Sequence, residues 1–220
     1  LQGTETLRTD FIANVSHELK TPLQGLIGSP QLLESGMVKQ EDTPRFVGHI
    51  RREAARLVNL IEDIIRLSQL DEGVAMPTEA VDMLQLAEEV KSILRPSAEE
   101  RNVSVNLSGA GFSVTGVRRM LHEVVYNLCD NAIKYNVPGG RVEIHAENNC
   151  LTVSDTGIGI PPEHQDRIFE RFYRVDKSHS KATGGTGLGL SIVKHAVAYH
   201  NAKIVLDSTP GKGTTITIQF

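Results

Sequence analysis

Tryptophan is absent from this 220-residue chain, and all aromatic residues together make up 5%. So few rings exclude a surface that holds single-stranded nucleic acid by stacking. Cysteine is nearly absent too, with Cys129 and Cys150 alone. Two thiols supply neither a disulfide framework nor a four-ligand zinc site. Both stand among apolar neighbours, where cysteine packs as a small hydrophobe, and a reducing compartment is expected. No apolar run approaches the ~18 residues that a membrane span needs. Leu188–Val193 is among the longest, and Gly189 interrupts it. Leu1–Asp10 is polar and lacks the apolar core of a signal peptide. The chain opens on Leu1 rather than Met, so a longer parent is expected. Positive charge is not in excess, since 23 Lys and Arg meet 27 Asp and Glu for a net charge of -4. No nucleic-acid partner is expected from that balance.

What is present falls into two halves of different period. Apolar or small residues recur at Ile12, Ser16, Leu19, Leu23, Leu26, Pro30, Leu33 and Met37, in steps of four and three. That is a heptad seam on a helix. Pro22 and Pro30 lie within it and should kink it, and at Pro30 a bend or a break is expected. A turn follows at Lys39–Thr43, and Thr43-Pro44 reads as an N-cap with proline at the first helical position. A second helix repeats the seam at Val47, Ile50, Ala54, Leu57, Ile61, Ile64 and Ser68. Arg51, Arg52, Glu53 and Arg56 read as a solvated helix face. A single hairpin cannot bury stripes this wide, so two hairpins are expected to pair as a four-helix bundle. These helices occupy 1–72, and 73–78, with Gly73 and Pro77, reads as a linker.

Over 79–220 strands and helices mix. Ala80–Met83 reads as a short strand, Leu84 to about Glu99 as a helix, and Val103, Val105 and Leu107 as a strand. Another strand starts at Phe112. Val117–Tyr135 and Leu188–His200 read as helices. Two hairpins are expected, one around Asn148-Asn149 and one around Pro210–Gly213. Strands joined as hairpins favour a mixed α/β sandwich over a doubly wound parallel sheet.

Three polar elements carry the chemistry. Glu123, Asn127, Asn131 and Lys134 share one helix face, where carboxylate, amides and ammonium suit Mg²⁺ and phosphate. Asp155-Thr156-Gly157-Ile158-Gly159 follows a strand, and an Asp there can hold a purine edge against close-packed backbone. Gly184-Gly185-Thr186-Gly187-Leu188-Gly189 leads into a helix whose N-terminus favours anions. It is neither a Walker pattern nor a dinucleotide fingerprint. Between the glycine loops lie Arg174 and Lys177, within reach of a γ-phosphate on a lid. The remaining histidines, His49 and His200 among them, have no ligand spacing and read as surface or structural residues.

In this order the elements resemble the ATP-binding domain of sensor histidine kinases. That domain shares its non-Walker fold with type II topoisomerases, heat-shock chaperone ATPases and mismatch-repair ATPases. Asn127–Ala132 resembles the N box, Asp155–Gly159 the first G box, Phe169–Phe172 the F box and Gly185–Leu190 the second G box. Upstream, Phe11-Ile12-Ala13-Asn14-Val15-Ser16-His17-Glu18-Leu19-Lys20-Thr21-Pro22-Leu23 resembles the H box of the dimerisation and phosphotransfer domain. A chaperone-type ATPase has no such helix. The general layout is similar to phosphate-regulon-type sensors.

The resemblance implies a two-helix hairpin dimerising into a four-helix bundle, followed by an α/β sandwich ATPase domain. It implies that ATP, with Mg²⁺, phosphorylates His17, assisted by Glu18, and that an aspartate of a response-regulator receiver domain then takes the phosphoryl group. Thr21 stands where a phosphatase motif would use it. Asn127 and Glu123 are the implied metal ligands. Asn131, Lys134, Tyr135, Asp155, Gly157, Gly159, Arg174, Gly185, Gly187, Leu188 and Gly189 are the implied nucleotide residues. The layout implies the cytoplasmic portion of a bacterial inner- or plasma-membrane sensor.

Overall fold

The computed structural model describes residues 2–71, 76–176 and 185–220, with side chains in the first stretch described over 11–69. Helix α1 (Gln2–Glu34) and helix α2 (Thr43–Asp71) form the expected hairpin, joined through a single 3-10 turn at Gln40–Asp42. Helix α1 passes both prolines without interruption. Of the bend or break expected at Pro30, the break is absent. Each proline deletes one backbone bond, and the packing of α1 along α2 outweighs that local loss. Residues 73–75 of the expected linker lie outside the described residues, and Met76 to Thr78 have no regular structure.

Next come β1 (Glu79–Asp82), α3 (Met83–Glu100), β2 (Ser104–Ser108), β3 (Ser113–Gly116), α4 (Arg118–Lys134), β4 (Arg141–Glu147) and β5 (Cys150–Asp155). The short helix α5 (Pro162–Gln165), helix α6 (Gly189–Tyr199), β6 (Lys203–Thr209) and β7 (Gly213–Gln219) complete the described elements. Asp82 starts α3 as its N-cap, with Oδ1 accepting from the Leu84 and Gln85 amides at 2.9 and 3.0 Å. The β4–β5 hairpin turns on Asn148 and Asn149 at φ 54° and 57°, the left-handed pair that a tight hairpin needs.

The main sheet has the order β2-β4-β5-β7-β6, and β1 pairs with β3 in a separate two-stranded sheet. Only β2 and β4 run parallel; the other pairs of the main sheet are antiparallel. Val142, Ile144, Ala146, Leu151, Val153, Ile216 and Ile218 point to one face and are buried with the apolar sides of α3, α4 and α6. The other face carries hydrogen-bonded polar pairs such as Thr152–Thr217 and Ser154–Thr215. This is the two-layer arrangement that alternating strands dictate.

A second, smaller apolar cluster ties the hairpin to the ATPase-like half. Leu60 and Leu67 of α2 meet Leu188 and Ile192, all of them fully buried, with Phe11, Leu19, Ile64 and Phe172 packed around them. Each such side chain contributes roughly 1.5–3 kcal/mol relative to exposure. Along the hairpin, by contrast, Ile12, Leu23, Ile27, Val47, Val58, Ile61 and Ile65 remain exposed. Among the described residues no helix is long and apolar enough to cross a membrane.

Candidate functional site

Helix α4 has two characters. Met120, Leu121, Val124, Val125, Leu128 and Ile133 are buried in the core. Glu123, Asn127, Asn131 and Lys134, on the other face, line a cavity of about 690 Å³. Tyr135, Asp155, Gly159, Arg174, Gly185, Gly187 and Gly189 line the same cavity, so most of the expected nucleotide residues meet in one place. Gly157 and Leu188 do not line it. Leu188 was expected at the nucleotide, yet its side chain is wholly buried beneath the glycine loop and its amide donates to Thr186 Oγ1 at 3.3 Å. Gly184 and Lys177 lie outside the described residues.

Asp155 closes strand β5 at the cavity floor. Its Oδ1 accepts from the Gly157 amide at 2.8 Å and the Thr214 amide at 3.2 Å. Among the described residues its Oδ2 is left as the acceptor for a ligand donor. Burial pushes the carboxyl pKa up, and the two amide bonds only partly offset this. Gly159 sits at φ 68°, where an added Cβ would stand 2.1 Å from the Thr209 carbonyl oxygen, so no larger residue fits the turn.

At the other end of the cavity, Asn127 Nδ2 donates to the Glu123 carbonyl at 2.8 Å. That bond fixes the amide and directs its oxygen toward Gly189, where a Cβ would come within 2.6 Å of Oδ1. An anchored amide oxygen with an adjacent carboxylate suits a hard cation. Among the described residues no group of three or more His, Cys, Asp or Glu side chains could hold a metal. An ion here would need phosphate and water oxygens as well, which is how Mg²⁺ binds with nucleotides. Lys134 Nζ rests 2.6 Å from Asp130 Oδ2. Burial raises the Glu123 pKa, against the pull of Arg66.

The imidazole of His17 is 79% exposed on α1. Its Nδ1 lies 3.8 Å from Glu18 Oε1, aligned but longer than a hydrogen bond. Glu18 Oε2 accepts from Arg174 at 2.8 Å and from Arg56 at 3.4 Å. Arg174 also donates to the Thr186 carbonyl at 2.9 Å, while its buried Nε has no partner among the described residues. A buried guanidinium nitrogen without an acceptor, beside the cavity, fits an anionic ligand. Thr21 Oγ1 donates to the His17 carbonyl at 3.4 Å, one turn further along.

Arg56 is the clearest correction to the sequence reading. It is only 7% exposed and pairs with Glu18, so it is not part of a solvated face. Heptad position alone could not reveal this, because its partner sits 38 residues away. Asp63 and Arg66 were also missed as site residues, and Thr186, read only as part of the glycine loop, has a contact of its own. Thr186 Oγ1 donates to Asp63 Oδ2 at 2.6 Å, and Arg66 reaches Glu123. Phe172 adopts φ 63°, uncommon for a bulky residue. Its amide donates to the Gly187 carbonyl at 2.8 Å and its ring lies 5.8 Å from that of Phe11.

Two family models match the chain. Residues 7–73 match the His Kinase A (phospho-acceptor) domain. Residues 116–220 match the Histidine kinase-, DNA gyrase B-, and HSP90-like ATPase. The sensor-like histidine kinase SenX3 of Mycolicibacterium smegmatis is 41% identical over 226 residues, covering 98% of this chain and 58% of that protein. The phosphate regulon sensor protein PhoR of Pseudomonas aeruginosa is 38% identical, covering 98% of this chain and 50% of that protein. The chain thus spans about half the length of the curated relatives it matches. The solved structure of the Acinetobacter baumannii histidine kinase AdeS is 26% identical with a TM-score of 0.73, covering 92% of this chain and 97% of that one. With the phospho-acceptor hairpin and the ATPase-type sandwich matched in the expected order, the chain belongs to the sensor histidine kinases and is similar to the phosphate-regulon sensors.

Proposed function

We propose that this chain uses ATP to phosphorylate His17 and passes the phosphoryl group to an aspartate on a response-regulator receiver domain. The observation that carries the reading is Arg174, a buried guanidinium at the cavity edge that holds the carboxylate next to an exposed imidazole. A neutral imidazole is a competent nucleophile near neutral pH. Nε2 attacks the γ-phosphorus, an N–P bond forms, and the bond to the leaving oxygen of ADP breaks. Glu18 faces Nδ1 and orients its proton, which leaves the Nε2 lone pair for attack, and accepts that proton as positive charge develops on the ring.

Phosphoryl transfer needs positioning and charge neutralisation more than covalent chemistry. Asp155 Oδ2 receives the adenine amino group. Asn131, Lys134 and Arg174 meet the phosphates, and Tyr135 packs against the nucleotide. Asn127 holds Mg²⁺, with Glu123 beside it directly or through water. When bound, the ion supplies positive charge to the phosphates. Gly157, Gly159, Gly185, Gly187 and Gly189 keep the backbone close enough to shape the pocket, and Leu188 supports the glycine loop from below.

Thr21 lies one turn from His17 and orients water for dephosphorylation of the regulator. The exposed apolar face of the hairpin pairs with a second copy as a four-helix bundle. The parent protein carries a sensor and a membrane anchor, with this region on the cytoplasmic side. Incubation with γ-labelled ATP and then with a receiver domain tests the transfer. Label should leave the kinase and appear on the receiver as base-labile acyl phosphate. Label that stays on the kinase with every receiver domain tried would contradict it.

A further inference from the structure

Helix α2 closes one side of the cavity through Asn59, Glu62, Asp63 and Arg66. Arg66 reaches two part-buried carboxylates, Asp63 and Glu123. Its Nε lies 3.3 Å from Glu123 Oε1, and its NH1 lies 3.4 Å from Oε2. The second contact is a hydrogen bond and the first an ion pair only, so the guanidinium neutralises the carboxylate without forming a bidentate fork. The same side chain reaches Asp63 and Glu62, each at 3.5 Å. The second oxygen of Asp63 accepts from Thr186 in the glycine loop at 2.6 Å. Helix α2 thus grips two elements of the cavity wall, the carboxylate on α4 and the loop before α6.

The contact is well defined but not deeply buried, since the Arg66 side chain is 38% exposed. It forms at the rim of an open cavity, where an incoming cation can compete for Glu123. Burial raises the pKa of both Asp63 and Glu123; the Thr186 hydrogen bond and then Arg66 oppose this at Asp63, while at Glu123 the guanidinium is the main local compensation.

We propose that Arg66 is a positioning residue that stands in for the metal: it holds and neutralises Glu123 until Mg²⁺ arrives with the nucleotide and displaces it. This rests on the reading above of Asn127 and Glu123 as the metal end of the site. Two opposite effects follow. Mg²⁺ must compete with Arg66 for Glu123, so Arg66 weakens binding of the metal complex. Nucleotide without metal leaves Glu123 alone and meets an extra positive charge, so Arg66 strengthens its binding. Arg66 therefore narrows the difference between metal-loaded and metal-free nucleotide. Its release from Glu123 also loosens the grip of α2 on α4 as the site fills.

Calorimetric titration of the whole chain with a non-hydrolysable ATP analogue tests this, once with Mg²⁺ and once in chelator. Arg66→Ala should bind the Mg²⁺ complex about 3- to 10-fold tighter and the metal-free analogue about 3- to 10-fold weaker, as expected for loss of one nearby charge at a part-exposed site. Arg66→Lys, which keeps the charge as a point charge on a flexible stem, should fall between. A purely structural role would move both affinities the same way, and that result, or no change in either, overturns the proposal. Failure of the unaltered chain to bind the analogue under either condition would instead overturn the nucleotide reading on which it rests. A thermal melt of each variant checks that folding is intact.

Discussion

Arg174 holds Glu18 at 2.8 Å across a sequence separation of 156 residues, so the lid of the cavity grips the carboxylate next to the phospho-acceptor. The same Glu18 oxygen also faces Arg56, and the other oxygen faces His17 Nδ1. One carboxylate thus connects hairpin, lid and nucleophile. It does not line the nucleotide cavity. Glu18→Gln should therefore leave nucleotide affinity within about twofold. The rate of His17 phosphorylation should fall by about 10²-fold, the usual scale for loss of a proton-holding group. A binding titration beside a labelling time course separates the two effects.

Asp155 separates stability from binding. Its Oδ1 already accepts two backbone amides, and an asparagine oxygen can do the same. Burial raises its pKa, so the folded chain holds this proton more tightly than the unfolded chain. Its contribution to folding is present below the ordinary carboxylate range and is lost as pH rises through the raised value. At neutral pH the charge is a cost, and Asp155→Asn should keep or raise the melting temperature. The new amide, however, presents a donor to the adenine amino group. ATP affinity should drop by about 10- to 100-fold, the scale of a lost charged hydrogen bond. A variant that melts early and still binds ATP would reverse this assignment.

Much of this was legible in the residues. The heptad seam, the strand alternation and the paired asparagines at the hairpin each follow from a local period or a local conformation. Asn127, Asn131 and Asp155 could be picked out because helix and strand-end geometry put them on shared faces. Arg56, Asp63 and Arg66 could not. Their partners are Glu18, Thr186 and Glu123, at separations of 38, 123 and 57 residues; packing of α1 on α2 makes the first contact, and docking of the two halves makes the other two. At Pro30 a local rule allows a bend or a break, and the helix stays unbroken where it packs along α2.

His200 is another residue whose work shows only in three dimensions. Its Nδ1 bonds the Ala196 carbonyl at 2.7 Å, and its Nε2 accepts from the Val117 amide at 3.0 Å. Those partners assign a neutral ring with the proton on Nδ1. Gly116 makes room, since a Cβ there would come within 2.5 Å of the ring. The ring joins the end of α6 to the start of α4, the helix that bears Asn127. His200→Ala leaves the Val117 amide unpaired and should cost about 1–3 kcal/mol in a denaturant titration. An unchanged midpoint would show that water replaces the ring without penalty.

Thr21 tests whether one helix turn serves two reactions. Its hydroxyl lies 3.4 Å from the His17 carbonyl and outside the nucleotide cavity. Thr21→Ala should keep autophosphorylation near the original rate and slow dephosphorylation of the receiver domain by about 10-fold or more, consistent with losing a group that orients water. Equal loss of both activities in paired assays would remove the separate role.

The most direct measurement is incubation with γ-labelled ATP and Mg²⁺ of the chain and of its His17→Gln variant, with nucleotide binding measured on both. The account predicts acid-labile, base-stable label on the unaltered chain, none on the variant, and equal binding of ATP by the two. Label that persists on His17→Gln, or its absence from an unaltered chain that binds ATP, would contradict it.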